Sequence, residues 1–192
     1  GATMRAIWSR SQTTKPLFKA SRKTIVITGF MAVGKGVVGQ RLARRLKRSF
    51  VDLDAAIEQR EGMKVHEIFS SKGEPYFRTI EKEMLREALG GADKIIATGG
   101  GAIMDEDNLR LLRETSLLIS LTARPETLLV RAAAGGSQRP LLQGDNKLEK
   151  IKKLLRQRET AYGQAHLSID TEARSVDEVV ENILQAIEQS DG

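Results

Sequence analysis

The residues with the clearest chemistry form Gly29-Phe30-Met31-Ala32-Val33-Gly34-Lys35, a glycine-framed loop that ends in a lysine. A nucleoside triphosphate carries several negative charges. Backbone N–H groups turned inward at a helix N-terminus hold them without bulky side chains. Ala32, Val33, Gly34, Lys35, Gly36 and Val37 are the positions such a loop offers to a nucleotide, with Lys35 reaching the β- and γ-phosphates. The bland alternative is a glycine turn beside a surface lysine. A strand before the loop and a helix after it argue against that. The usual pattern closes on Ser or Thr, whose hydroxyl coordinates Mg²⁺. Here Gly36 and Val37 follow the lysine. Metal placement therefore falls to water, phosphate oxygens and another protein group.

Asp52 and Asp54 follow a short apolar run. Alone they read as turn or N-cap aspartates, Asp54 preceding a helix. Beside a phosphate loop, one can hold metal-bound water and the other can accept a hydroxyl proton. Gly99-Gly100-Gly101 follows another apolar run and permits close approach of backbone to a ligand. The segment Gly135-Gly136-Ser137-Gln138-Arg139-Pro140-Leu141-Leu142 reads as a flap carrying an arginine that can stabilise a transferring phosphoryl group. Arg78 and Arg158 are candidates for an anionic substrate, because a guanidinium forks a carboxylate. His66 and His166 belong to no motif and read as surface or packing residues, and Trp8, Met31, Met63 and Phe77 as core or contact residues.

These residues need a scaffold that brings loop ends together. Thr24–Thr28, Phe50–Leu53, Ile95–Thr98, Leu117–Leu121 and Leu167–Ile169 read as strands. Helical patterns begin after the phosphate loop and recur over Asp54–Arg60, Val65–Ser70, Glu74–Leu89, Asp105–Arg113, from Pro125, over Lys147–Tyr162 and over Val176–Ile187. Ala133–Gly144 reads as a loop. Alternation of this kind predicts an α/β domain with a mainly parallel sheet, whose ligands bind at the carboxyl edge.

The 192 residues suit one domain with a core of useful size. There is no cysteine, which excludes disulfides and thiolate chemistry and fits a reducing compartment. No run of about 18 apolar residues predicts a membrane span. The net charge of +6 resides in residues 1–23, where Arg5, Arg10, Lys15, Lys19, Arg22 and Lys23 stand without an acid; the remaining basic residues are matched by 25 acidic ones. Residues 1–22 read as a disordered tail, with Gly1–Thr3 a cloning remnant, and 23–189 as one catalytic domain with a lid at about 133–144. Organelle targeting by the basic, acid-free tail is the minor alternative to a cytoplasmic location. The tail's charge is diffuse and lacks interleaved aromatics, so no nucleic-acid or membrane partner is expected, and the chain reads as a monomer.

Taken in order, several segments resemble the shikimate kinase family: Gly29-Phe30-Met31, Phe50-Val51-Asp52-Leu53-Asp54, Gly73-Glu74-Pro75-Tyr76-Phe77-Arg78-Thr79-Ile80-Glu81, the triple glycine, Arg139-Pro140-Leu141-Leu142, and Arg158 four residues before Tyr162. The similarity spans roughly 24–185. It implies a three-layer P-loop kinase with a five-stranded parallel sheet in the order 2-3-1-4-5 and a mobile lid. It also implies transfer of the γ-phosphate of ATP to the 3-hydroxyl of shikimate, with Mg²⁺, a step toward chorismate and aromatic amino acids. By the same resemblance Asp54 binds substrate hydroxyls and acts on the attacking one. Arg78 and Arg158 hold the carboxylate, Gly100 adds backbone contact, and Asp52 holds Mg²⁺ through water. Lys35 and Arg139 serve the phosphates, and Arg174 stands near adenine. The family's hydroxyl ligand falls at Gly36. A catalytically weak or degenerate nucleotide or metabolite binder, or a related gluconate kinase, are the alternatives.

Overall fold

Every residue of Ile25–Gly29 (β1) is buried, as a strand covered on both faces must be. In the computed structural model, which describes residues 24–135 and 142–191, β1 is the centre of a sheet ordered β2-β3-β1-β4-β5. Its other strands are β2 (Phe50–Asp52), β3 (Ile95–Ala97), β4 (Leu117–Thr122) and β5 (Leu167–Asp170), and every pairing is parallel. The helices are α1 (Lys35–Leu46), α2 (Leu53–Glu61), α3 (Val65–Lys72), α4 (Glu74–Leu89), α5 (Glu106–Thr115), α6 (Pro125–Ala134), α7 (Lys147–Tyr162) and α8 (Val176–Asp191). This is the expected three-layer α/β architecture and strand order.

Alternation along the strands divides the core in two. Ile25, Ile27, Ile95, Leu117, Ile119 and Leu121 face one cluster with Val38 and Leu42 of α1 and Val180 and Ile183 of α8. Val26, Ile96 and Leu118 face the other, with Leu53, Ile57, Ile68, Phe77, Leu85 and Leu112 from α2 to α5. On the first side Arg41 pairs with Asp177 at 2.6 Å and Arg45 with Glu181, tying α1 to α8. Because the chain crosses from β1 outward to β2 and later to β4 on the opposite side, a crevice opens at the carboxyl ends of β1 and β3. Ligands bind such sheets there.

Several boundaries shift from those read in the sequence. β1 runs to Gly29, while Leu53 opens α2 rather than ending β2. Ala133 and Ala134 belong to α6 rather than to a loop, and α8 continues past Ile187 to Asp191. A 3-10 turn at Ala102–Met104 follows the triple glycine, where none was expected. Arg139 and residues 1–22 lie outside the described residues. Among those described, no helix is long and apolar enough to cross a membrane.

Candidate active site

The phosphate loop joins β1 to α1. Gly34 is the N-cap of α1 at φ 108°, and Ala32 also takes a positive φ, 65°. Neither angle is comfortable for a residue with a side chain, and Ala32 bears this strain within the loop. No side chain caps α1 and no acidic residue occupies its first turn, so its N-terminal field is left for an external anion. Lys35 Nζ donates to the carbonyls of Gly29 (2.6 Å) and Phe30 (3.0 Å), folding back over the loop it serves. Arg131 of α6, which carried no signal in the sequence, donates to the Val33 carbonyl at 3.3 Å and to Thr171 Oγ1 at 3.2 Å.

The two aspartates divide their roles. Asp52, not Asp54, is the N-cap of α2: its Oδ1 accepts the Ala55 N–H at 3.1 Å. A Cβ built on Gly36 would lie 3.8 Å from Asp52 Oδ2, so the missing hydroxyl position and this carboxylate adjoin. Among the described residues no group of three or more His, Cys, Asp or Glu side chains forms a metal centre. One carboxylate beside a phosphate loop fits Mg²⁺, which keeps waters and takes substrate phosphates as ligands. Asp54 lies in the first turn of α2 with Oδ1 sealed from solvent and without a hydrogen-bond partner among the described residues. Burial pushes its pKa up to about 6, against the pull of Lys35 and with the push of Asp52 and Glu58. A carboxylate so tuned is suited to accept a proton near neutral pH.

The glycine turn after β3 receives both arginines. A Cβ on Gly101 would meet Arg78 Nη2 at 2.5 Å, and one on Gly100 would meet Arg158 Nη1 at 2.9 Å and the Gly29 carbonyl at 3.1 Å. Side chains here would push the guanidiniums away. Arg78 donates to both Glu81 carboxylate oxygens (3.0 and 3.2 Å) and to Glu74 Oε1 (3.2 Å). Glu81 is only 1% exposed, and burial lifts its pKa to about 7 despite Arg78. Arg158 is 4% exposed, yet no carboxylate among the described residues pairs with it. Its contacts are the Phe30 ring, 5.6 Å to the centroid, and the Tyr162 hydroxyl at 3.4 Å. Glu81 acts on it electrostatically from a distance, but a buried guanidinium with no carboxylate in contact remains costly unless a ligand supplies one. Arg78, Glu81, Gly101, Asn108, Gln157 and Arg158 line a cleft of about 480 Å³.

A triphosphate cradle, a near-neutral carboxylate and an anion clamp thus converge at one sheet edge. A family model described as shikimate kinase matches residues 31–188. The chain belongs to the shikimate kinase family. It is 43% identical over 180 residues to a shikimate kinase of Geobacter sulfurreducens, covering 94% of this chain and 96% of that protein. A shikimate kinase of Thermus thermophilus is 42% identical over 163 residues, 85% of this chain and 89% of its own. Among solved structures, shikimate kinase from Acinetobacter baumannii in complex with shikimate superposes with a TM-score of 0.84 at 34% identity, over 88% of this chain and 95% of that one. A gluconokinase from Sinorhizobium meliloti, 17% identical with a TM-score of 0.61, shares the fold alone over 88% of this chain and 93% of its own.

Of the residues expected in this shikimate kinase family site, Lys35, Asp52, Asp54, Arg78, Gly100 and Arg158 stand around the crevice. Arg174 stands beyond β5, its Nη1 donating to the Asp170 carbonyl at 3.0 Å. His166 is a packing residue whose Nδ1 accepts the Leu118 N–H at 2.9 Å. Sequence reasoning assigned no role to Glu81 or Tyr162. A signal was present: Phe77, Glu81 and Leu85 share one buried stripe of α4, and Ile151, Arg158 and Tyr162 one of α7. A charge inside an apolar helical stripe requires a partner.

Proposed function

We propose that this chain transfers the γ-phosphoryl group of ATP to the 3-hydroxyl of shikimate. The observation that carries the reading is Arg158, a buried guanidinium with no carboxylate partner among the described residues, set against the glycine turn beside Arg78. The substrate carboxylate supplies the missing counter-charge, and Gly100 adds backbone contact. Asp54 faces the attacking hydroxyl and takes its proton as the new P–O bond forms and the bond to the leaving ADP oxygen breaks. The loop from Ala32 to Val37 cradles the phosphates, Lys35 offsets their charge, and Arg139 acts from the lid. Arg174 contacts the adenine side. Asp52 would hold Mg²⁺ through water, and the ion would supply charge neutralisation at the phosphates. The protein works in the cytoplasm as a monomer, on a small-molecule substrate.

Replacing Arg158 with Ala tests this directly. Loss of a charged hydrogen bond in a closed site costs about 2–5 kcal/mol. The KM for shikimate should therefore rise by well over tenfold, while ATP affinity measured alone stays the same. Unchanged shikimate kinetics would remove the carboxylate clamp. Gly36 favours a second reading, a nucleotide and metabolite binder without turnover; shikimate binding without ADP release would identify it.

A further inference from the structure

We infer that Tyr162 is a positioning residue for the substrate clamp, an inference that rests on the shikimate reading of this site. Its hydroxyl donates to the Gly100 carbonyl at 2.6 Å and receives Arg158 Nη1 at 3.4 Å. Arginine thus donates to the phenol and the phenol to the backbone carbonyl, one hydrogen-bonded chain in which each bond polarises the next. Burial raises the phenol's pKa, with Arg158 opposing, so the hydroxyl keeps the proton it donates.

The geometry controls two contacts at once. Arg158 sits on α7 and the glycine turn follows β3; the Tyr162 hydroxyl sets their separation, which leaves no room for a Cβ on Gly100. In a trans peptide the Gly100 carbonyl and the Gly101 N–H point in opposite directions. Holding the carbonyl toward Tyr162 therefore turns the Gly101 N–H away from it, and that N–H has no acceptor among the described residues. Gly101 itself lines the substrate cleft. The ring is buried in the core cluster of α2 to α5 on one side. On the other side it borders a separate cavity of about 550 Å³, with Ser120, Thr122, Leu155, Glu159 and Ser168, and there the hydroxyl's two hydrogen bonds tie it to the glycine turn and to Arg158.

The test compares Tyr162→Phe, which loses the hydroxyl and keeps the ring, with Tyr162→Leu, which loses both. It uses the full chain and reads steady-state kinetics, thermal stability and calorimetric shikimate affinity. Tyr162→Phe should raise the shikimate KM and Kd about two- to twelvefold, the range for a lost hydrogen bond, with kcat and the ATP KM within about twofold and Tm little changed. In an Arg158→Gln background the same substitution should have a much smaller effect, since the two groups act as a unit. A Phe variant with parental shikimate affinity, with only Leu impaired and less stable, would reduce Tyr162 to packing. Fully multiplicative effects with Arg158→Gln would also overturn the inference. A parent that binds shikimate without turnover still tests it through Kd; a parent that does not bind shikimate overturns the reading beneath it.

Discussion

Asp54 and Glu81 are carboxyls that the fold holds at a cost in stability, and their protons make that cost measurable. Burial raises Asp54 from an ordinary 3.8 to about 6 and Glu81 from 4.5 to about 7. The folded protein therefore binds these protons more tightly than the unfolded chain. The penalty is absent below the ordinary values, grows as pH rises through the interval, and is complete above the folded values. The ligand-free protein should lose stability between pH 5 and pH 8 on this account. Asp54→Asn should abolish turnover while raising stability at pH 8 by about 1–3 kcal/mol, the scale of such a shift. At pH 5 its advantage should shrink. Thermal melts at both pH values check this, and an identical pH dependence in parent and variant would contradict it. Arg78→Ala should also raise the shikimate KM, and it leaves Glu81 without its guanidinium partner. Its stability should therefore fall, most strongly at high pH.

The sequence made Asp54, Arg78, Gly100 and Arg158 visible, because glycine loops and paired charges are local patterns. Glu81 and Tyr162 stayed without roles because burial is a tertiary property: an acid on α4 reads as solvated until its stripe is seen to face the core. Which of the two candidate N-cap aspartates caps α2 stayed open for a similar reason, and it is Asp52. Whether α2 starts at Leu53 or Asp54 depends on where β2 stops pairing with β3, at Asp52 opposite Ala97.

At the scale of elements, the α1 N-terminus and the segment around Arg139 are the parts proposed to serve the phosphates. Gly36 lacks a side-chain oxygen, but a Cβ there is unobstructed, with Asp52 Oδ2 at 3.8 Å as its near neighbour. Gly36→Ser should fit, favour the helix by a few tenths of a kcal/mol, and reach half-maximal rate at lower Mg²⁺. A rate titration against Mg²⁺ decides it, and an unchanged midpoint would place the metal away from this corner. Arg139→Ala should lower kcat more than it weakens shikimate binding, because a lid arginine matters most as charge moves in the transition state. Single-turnover rates beside shikimate binding separate the two effects. Long periodic elements were legible to the residue: α4 and α7 span Glu74–Leu89 and Lys147–Tyr162, the bounds read from the sequence. The 3-10 turn at Ala102–Met104 was not, since three residues are too few for a period and the turn is fixed by Asn108 Nδ2, which donates to the Ala102 carbonyl at 3.0 Å.

For the whole molecule, strand–helix alternation predicts the parallel α/β class and ligand binding at the carboxyl edge, whereas the strand order β2-β3-β1-β4-β5 was implied by the family resemblance and not by alternation. The positive net charge resides in residues 1–23, which carry six basic residues and no acid. Deleting residues 1–22 should leave kcat and the shikimate KM within about twofold, since every candidate site residue and the family match, 31–188, lie beyond them; kinetics of the truncated protein check it. The most direct measurement is ATP-dependent ADP release by the full chain with Mg²⁺, comparing shikimate with gluconate. Saturable, shikimate-dependent release with gluconate at background is the expected result. Release with gluconate alone, or with neither substrate, would contradict the assignment of this site to shikimate phosphorylation.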